Sequence, residues 1–319
     1  MNSTPANGDL LRVEALRKYF HFRGTIVRAV DGISFGMRRG ATLGLVGESG
    51  SGKTTVGRMI LRLAEPTSGR IFFEGMDITG LGARGMRSLR RRMQLIPQDP
   101  YSALNPQRSI GWAVTEPYRI HRIGKKSEWE NKVRELLATV GVPPDAFNAY
   151  PGELSGGQLQ RVCIARALSL KPDLLICDEP MSALDVSIQA QVLKLLQDLQ
   201  HQFGLTYLFI SHNLAVVERI SDMVAVMYLG RMMEIGGGEA IFERTAHPYT
   251  RALLASVPSM SAERKTGNVS LKGDMPSPAN PPPGCPFSTR CAHVMDVCCR
   301  EHPTLRELGN GHFAACHLL

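Results

Sequence analysis

Residues 10–16 (LLRVEAL) and 31–37 (DGISFGM) alternate apolar and polar side chains. A period of two sends one face inward, so both predict half-buried strands. ATLGLVG at 41–47, DLLICD at 173–178 and TYLFIS at 206–211 are short and almost wholly apolar. Runs of that length and composition predict strands buried on both faces. Residues 70–75, MQLIP at 93–97, DMVAVMYLG at 222–230 and RMMEIGGG at 231–238 add further strand-like stretches. Apolar positions at helical spacing predict helices over 53–63 and 186–200 (VSIQAQVLKLLQDLQ). Residues 108–150 carry no strand signal and predict helices, broken at Pro143–Pro144. Strands alternating with helices imply an α/β core with a largely parallel sheet, and the strand-poor stretch is a helical insertion.

The pattern changes near the end. Residues 259–283 are polar and proline-rich, with KTG followed by MPSPANPPP, and predict a linker. Five of the seven cysteines follow it: Cys285, Cys291, Cys298, Cys299 and Cys316. The other two, Cys163 and Cys177, sit alone in apolar periodic segments and are expected to be buried small hydrophobes. The expected organisation is therefore a domain over 8–258, a linker over 259–283 and a cysteine-rich module over 284–319.

Composition narrows the functional classes. The 319 residues are 43% hydrophobic and 21% charged, as in ordinary globular proteins. No apolar run reaches the ~18–20 residues that a spanning helix needs. The first residues, MNSTPANGDLLRVEAL, lack a basic start followed by an apolar stretch, so no secretory signal is expected. These readings place the protein in the cytoplasm, with membrane contact through a partner or its surface. Part of the net charge of +8 is local, in Arg84, Arg87, Arg90, Arg91 and Arg92. A solvated helix face accounts for that cluster; a surface near anionic lipid or a permease loop is the second reading. No aromatic platform or DNA-reading pattern accompanies it, so no nucleic-acid partner is expected.

The chemistry begins at Gly47-Glu48-Ser49-Gly50-Ser51-Gly52-Lys53-Thr54, which matches G-x-x-x-x-G-K-[ST] between an expected strand and an expected helix. Glycines let backbone N–H groups turn toward phosphate oxygens, and the helix N-terminus adds a favourable field. Lys53 is placed to neutralise β- and γ-phosphates, and the Thr54 hydroxyl to ligate Mg²⁺. Asp178 and Glu179 close the apolar run LLICD-Glu179. A carboxylate at the end of a buried strand is costly unless paired or metal-bound. Asp178 is expected to hold Mg²⁺ and Glu179 to orient the attacking water, which suffices for phosphoryl transfer. Leu154-Ser155-Gly156-Gly157-Gln158 precedes a helix and forms a second candidate anion site. One chain already has a phosphate loop, so the second site points to the γ-phosphate of another chain's ATP.

With LSGGQ beside a phosphate loop and LLICDEP, the sequence resembles the ABC ATPases. The resemblance implies a nucleotide-binding core with an N-terminal antiparallel β subdomain and a helical subdomain over about 108–165. It also implies a head-to-tail dimer in which each ATP meets one chain's loop and the other's LSGGQ. It assigns Gly47, Ser49, Gly50, Ser51, Gly52, Lys53, Thr54 and Thr55 to nucleotide, with Ser155, Gly156, Gly157 and Gln158 from the facing chain. Gln98 in IPQDP resembles the glutamine that contacts Mg²⁺ and water and reports to the permease. Asp185 in SALD resembles the interface aspartate, and His212 the histidine at the γ-phosphate. Phe20 in RKYF, in preference to Tyr19, resembles the adenine-stacking aromatic.

IPQDPYSALNPQ, PGELSGGQLQRVCIARAL, SALDVSIQAQVL and HPYTRALLASVP resemble the ATPases of oligopeptide and dipeptide importers, across essentially the whole chain. GRMILRLAEPTSG resembles the second of the two ATPase subunits such importers carry. The implied partners are a related second ATPase or a second copy, two permease subunits at the cytoplasmic face of the membrane, and indirectly an external solute-binding protein. Asn213 and Ala292 depart from the family pattern, where Asp and Pro are common. Non-transport ABC ATPases fit less well. DNA-repair members need long heptad segments, translation members carry two cassettes, and this chain has neither.

Cys285, Cys291 and Cys298 are separated by five and six residues, and Cys316 follows after a longer gap. Zinc commonly uses tighter C-x₂₋₄-C pairs, and four thiolates on a loop-rich tail also suit an iron–sulfur cluster. Resemblance to the family's C-terminal module implies a [4Fe-4S] cluster on these four; zinc and no metal stay open.

Overall fold

The structure is a computed structural model and describes residues 8–256 and 273–319. Much of the linker expected over 259–283 lies outside the described residues. The chain divides into two compact units: one holds the described residues up to Gly80 and from Phe209 onward, the other Leu81–Leu208.

The first unit begins with a long hairpin, β1 (Asp9–Phe22) and β2 (Thr25–Arg38), closed by Arg23 and Gly24. β3 (Thr42–Val46) is buried at every position. It runs through residues 47–52 into α1 (Lys53–Ile60). β4 (Ser68–Phe73) and the two-residue β5 (Met76–Asp77) follow. β1 pairs antiparallel with both β2 and β4, giving a sheet ordered β2-β1-β4-β5. This is the antiparallel subdomain that the sequence implied. α1 is shorter than the expected 53–63, because the chain turns at Arg62, whose φ is +52°.

The second unit holds α2 (Ala83–Leu89), β6 (Met93–Ile96), α3 (Pro100–Ala103), α4 (Ile110–His121), α5 (Lys126–Thr139), α6 (Gly156–Leu168), β7 (Leu174–Asp178) and α7 (Val186–Phe203). β6 and β7 pair in parallel. α4, α5 and α6 bury Ile110, Val114, Val133, Leu137, Leu159 and Val162 completely, which is the helical layer expected from the strand-poor stretch. Cys163 and Cys177 are buried as expected, and burial pushes the Cys163 thiol up to about 12. α2 buries Met86 and Leu89 and exposes Arg84 and Arg87. Arg92 pairs with Asp173 at 2.6 Å. Arg84 and Arg87 thus lie on a solvated helix face, while Arg90, Arg91 and Arg92 follow the helix.

β8 (Thr206–Ser211) leads back to the first unit. There α8 (Leu214–Ile220), β9 (Met223–Tyr228), β10 (Arg231–Gly237), α9 (Gly238–Phe242) and α10 (Pro248–Ala255) precede the tail. The tail folds into α11 (Asp296–Arg300) and a hairpin, β11 (Arg306–Gly309) and β12 (His312–Ala314). Here the strand order is β11-β12-β10-β9-β3, with β3 and β9 parallel and the rest antiparallel. The tail therefore adds an edge to this sheet. One carboxylate knits it in: Glu234, fully buried on β10, accepts from the Thr245 hydroxyl and from the N–H groups of Ala246 and His247. His312 Nε2 on β12 lies 2.7 Å from the same carboxylate. A buried carboxylate is tolerated only when its lone pairs are met in this way. Among the described residues, no helix is long and apolar enough to cross a membrane.

Candidate functional site

In the first unit the loop after β3 winds around its own lysine. Lys53 Nζ donates to the carbonyls of Gly47 at 2.8 Å and Glu48 at 2.9 Å, with Ser51 Oγ at 3.4 Å. Two glycines make the winding feasible. Gly47 has φ +151°, and a Cβ there would lie 2.2 Å from the Met227 carbonyl. Gly52 has φ +102°, and a Cβ would lie 2.2 Å from the Ala29 carbonyl. Neither position admits a side chain. Gly52 caps α1 without any side-chain hydrogen bond, and the first turn holds no acidic residue. The N-terminus of α1 thus carries the positive end of the helix field without an acidic side chain in its own first turn. Ser49 and Gly50 are exposed, and Thr54 and Thr55 are half-buried.

Phe20 and Tyr19, adjacent on β1, differ in availability. Tyr19 donates its hydroxyl to Asp31 at 2.6 Å, and Arg231 pairs with the same carboxylate at 2.6 Å. Phe20 is 43% exposed, with the Lys18 ammonium 4.9 Å from its ring centre. Of the two rings, Phe20 is the one that offers a face. His212 is exposed just after β8. Asn213 is the N-cap of α8, accepting from the N–H groups of Ala215 and Val216. The residue that departs from the family's aspartate thus keeps the capping chemistry.

In the second unit, Asp178 is buried at the end of β7 and Glu179 follows it with φ +46°. A left-handed conformation at a non-glycine residue costs on the order of 1 kcal/mol or more and persists only where the surroundings enforce it. The turn after it does so: Ser182 donates from both its N–H, at 3.2 Å, and its hydroxyl, at 3.1 Å, to the Glu179 carbonyl. Gln98 Nε2 donates to Glu179 Oε2 at 3.0 Å. Two side chains separated by 81 positions, both assigned from sequence, are thus brought into contact.

Ser155 caps α6, and its partner in the cap is Gln158. Gln158 N–H donates to Ser155 Oγ at 3.4 Å, while Gln158 Oε1 accepts from Ser155 N–H at 2.9 Å. Gly156 has ordinary van der Waals room, but a Cβ on Gly157 would lie 2.7 Å from Ile188 Cγ2 on α7. Asp185 begins α7 without a side-chain cap, beside Val186, which is 83% exposed. Among the described residues, nothing covers this apolar side chain.

Cys285, Cys291, Cys298 and Cys316 line one cavity together with His247 and Phe287. Cys299 is exposed and lies outside it. Burial, and then the neighbouring thiols, push Cys285 up to about 11; Cys291 and Cys316 shift in the same direction, burial first. Burial holds His247 down to about 4, so it is neutral, and its Nδ1 accepts from the Tyr249 N–H at 3.0 Å. Among the described residues, no group of three or more His, Cys, Asp or Glu is placed to hold a single metal ion. On that count neither the zinc alternative nor the iron–sulfur expectation gains support. HPYTRALLASVP entered the sequence reading only as a resemblance; its histidine and tyrosine prove to face the cysteine cavity and the phosphate loop.

Residues 30–182 match the ABC transporter family, and residues 233–298 match the oligopeptide/dipeptide transporter C-terminal region. The chain is 54% identical over 316 residues to a putative peptide import ATP-binding protein of Brucella ovis, covering 99% of this chain and 98% of that one. It is 49% identical over 329 residues to the oligopeptide transport ATP-binding protein AppF of Bacillus subtilis, covering 99% of each. Among solved structures, the ATP-binding cassette MJ0796, a dimer in a post-hydrolysis state bound to ADP and Pi, is similar with a TM-score of 0.66. Identity there is 25%, over 71% of this chain and 98% of that one.

Proposed function

The chain belongs to the ABC transporter ATPases of the oligopeptide/dipeptide branch, and we propose that it energises uptake of oligopeptides or dipeptides through a membrane permease. One observation carries this reading. An ABC region and an oligopeptide/dipeptide C-terminal region stand on the same chain, which aligns end to end with peptide-import relatives.

In the proposed mechanism, Phe20 stacks on adenine, and the loop from Gly47 to Thr55 wraps the phosphates. Lys53 exchanges its backbone carbonyl partners for phosphate oxygens. Thr54, Asp178 and Gln98 would supply oxygen ligands for Mg²⁺, which would neutralise phosphate charge. Glu179 orients the attacking water, and Gln98 holds its carboxylate in place; His212 meets the γ-phosphate. Phosphoryl transfer of this kind depends mainly on positioning and charge. Ser155, Gly156, Gly157 and Gln158 complete the site of a facing ATPase, with Asp185 in the interface. That facing chain is a related second ATPase or another copy. The permease pair, and through it an external binding protein, receive the motion at the cytoplasmic face of the membrane. We retain a domain division at 8–258, 259–283 and 284–319 for this purpose.

The four-cysteine cavity is the proposed seat of a [4Fe-4S] cluster held by Cys285, Cys291, Cys298 and Cys316. The lining of one cavity by all four thiols supports it. A cluster would supply cross-linking stability to a tail with little apolar area of its own. Anaerobic protein is expected to be brown, with absorption near ~400 nm. Cys291→Ser should bleach it and Cys299→Ser should not.

The transport reading is tested by co-expression with the adjacent permease pair. The chain should purify with the membrane proteins and hydrolyse ATP faster when peptide-loaded binding protein is added. Failure to associate, with hydrolysis indifferent to permease and peptide, would defeat it.

A further inference from the structure

Glu48 is an awkward residue for an anion-binding loop. It directly follows Gly47, and its carboxylate brings negative charge to a backbone that must receive a triphosphate. The structure neutralises it from far along the chain. Arg290 Nη1 donates to Glu48 Oε1 at 2.8 Å and to Oε2 at 3.1 Å. The arginine side chain is only 5% exposed, and that of Glu48 is 27%. The same nitrogen lies 3.3 Å from the Tyr228 hydroxyl. Charge-assisted hydrogen bonds of this kind are among the stronger ones in a fold.

The arginine is held by the cysteine-rich tail. It closes a short turn, Ser288–Arg290, bounded in sequence by Cys285 and Cys291. Within that turn Ser288 N–H donates to the Cys285 carbonyl and Arg290 N–H to the Phe287 carbonyl, each at 3.0 Å. Phe287 anchors it from below, packing edge-on against Tyr228 with ring centres 5.5 Å apart and against Tyr249 at 5.2 Å. All three rings are essentially buried. Tyr249 returns to the loop by a second route, its hydroxyl accepting from the Glu48 N–H at 3.0 Å. Glu48 is therefore gripped twice, its side chain by Arg290 of the tail and its backbone by Tyr249 of α10.

We propose that Arg290 is a positioning residue for nucleotide binding, through which the C-terminal cysteine module neutralises Glu48 and keeps the phosphate loop receptive to ATP. The inference rests on the reading of residues 47–54 as the phosphate loop. It acts through Glu48 and not by contact with nucleotide. Its effect falls on affinity rather than on the chemical step, because Glu179 and Gln98 belong to other elements.

The test uses the full chain, with ATP and ADP affinity measured directly and KM and kcat measured in the assembled transporter. Arg290→Ala should weaken both nucleotides roughly tenfold and raise KM equally, with kcat changed by less than about twofold. Arg290→Lys should recover most of the loss. In a Glu48→Gln background the same Arg290→Ala change should cost little, since the charge to be offset is gone. Arg290→Gln, which keeps volume and removes charge, replaces the alanine variant if that one does not fold. Unchanged affinity in the charge-removing variant overturns the proposal. So does a loss of equal size in the Glu48→Gln background, which would mark a purely structural role. Lys53→Ala separates this from the underlying reading. If it leaves nucleotide affinity intact, the phosphate-loop assignment fails; if it weakens binding while Arg290→Ala does not, only the coupling fails.

Discussion

α1 and α6 both begin at glycine-rich segments, and neither carries an acidic residue in its first turn. Both ends thus present N–H donors and a positive field. They differ in what their own chain does with those donors. At α1 the cap is Gly52, with no side chain to accept, and Lys53 is buried against the loop's carbonyls. At α6, Ser155 and Gln158 satisfy each other in a reciprocal capping box. The first end has no side-chain cap of its own, and the second has a reciprocal one. That asymmetry suits a site in which one helix holds nucleotide permanently in register and the other engages it transiently, from a facing subunit.

The sharpest way to break this comparison is at Glu179. Glu179→Gln keeps shape and the Gln98 contact but removes the carboxylate that polarises water. Turnover should fall by about a thousandfold, in the range typical of a lost general base. ATP should then trap both helix ends in a stable dimer, visible by size-exclusion chromatography. Near wild-type steady-state hydrolysis would remove Glu179 from its role.

Gly157→Asp attacks the α6 end alone. It places a carboxylate at the proposed γ-phosphate dock, and its Cβ also meets Ile188. Hydrolysis by the assembled transporter should drop at least roughly a hundredfold, as for loss of a preorganised anion donor. ATP binding by this chain should persist. Equal loss of both would mean that the two ends are not divided between subunits. Lys53→Ala attacks the α1 end. It should cost about 2–4 kcal/mol of nucleotide affinity by calorimetry, the scale of an electrostatic contact in a dry site.

The smallest effect sharpens rather than breaks. Ser155→Ala removes the α6 cap and should lower stability by about 1 kcal/mol in chemical denaturation, with ATP binding by the isolated chain unchanged. A variant as stable as wild type would mean that the reciprocal cap contributes nothing in solution.

Much of this is legible in the sequence. The strand–loop–helix context of Lys53, the buried strand ending in Asp178 and Glu179, and the helical run after Pro106 all follow from periodicity and punctuation. Other features left weaker traces. β1 extends to Phe22 although RKYFHF does not alternate, because pairing with β2 continues to the turn, Phe22 opposite Thr25. The short, exposed β11 carries no apolar signal and exists because β12 pairs with β10. α2 is a brief helix held by two buried side chains. For β11 the support comes through β10, a strand distant in sequence, where local pattern carries no information.

The sequence by itself determined the chemistry: which residues carry charge, where glycine frees the backbone, and which four thiols belong together by spacing and resemblance. Only the tertiary structure decided their company. It placed Gln98 on Glu179, committed Tyr19 to Asp31 and left Phe20 exposed, and brought Arg290 to Glu48 across 242 positions. The reason is physical. A motif is written by local backbone requirements, which recur wherever the loop recurs. The partner of a charged side chain is chosen by packing between distant elements, and that choice is made only when the chain has folded.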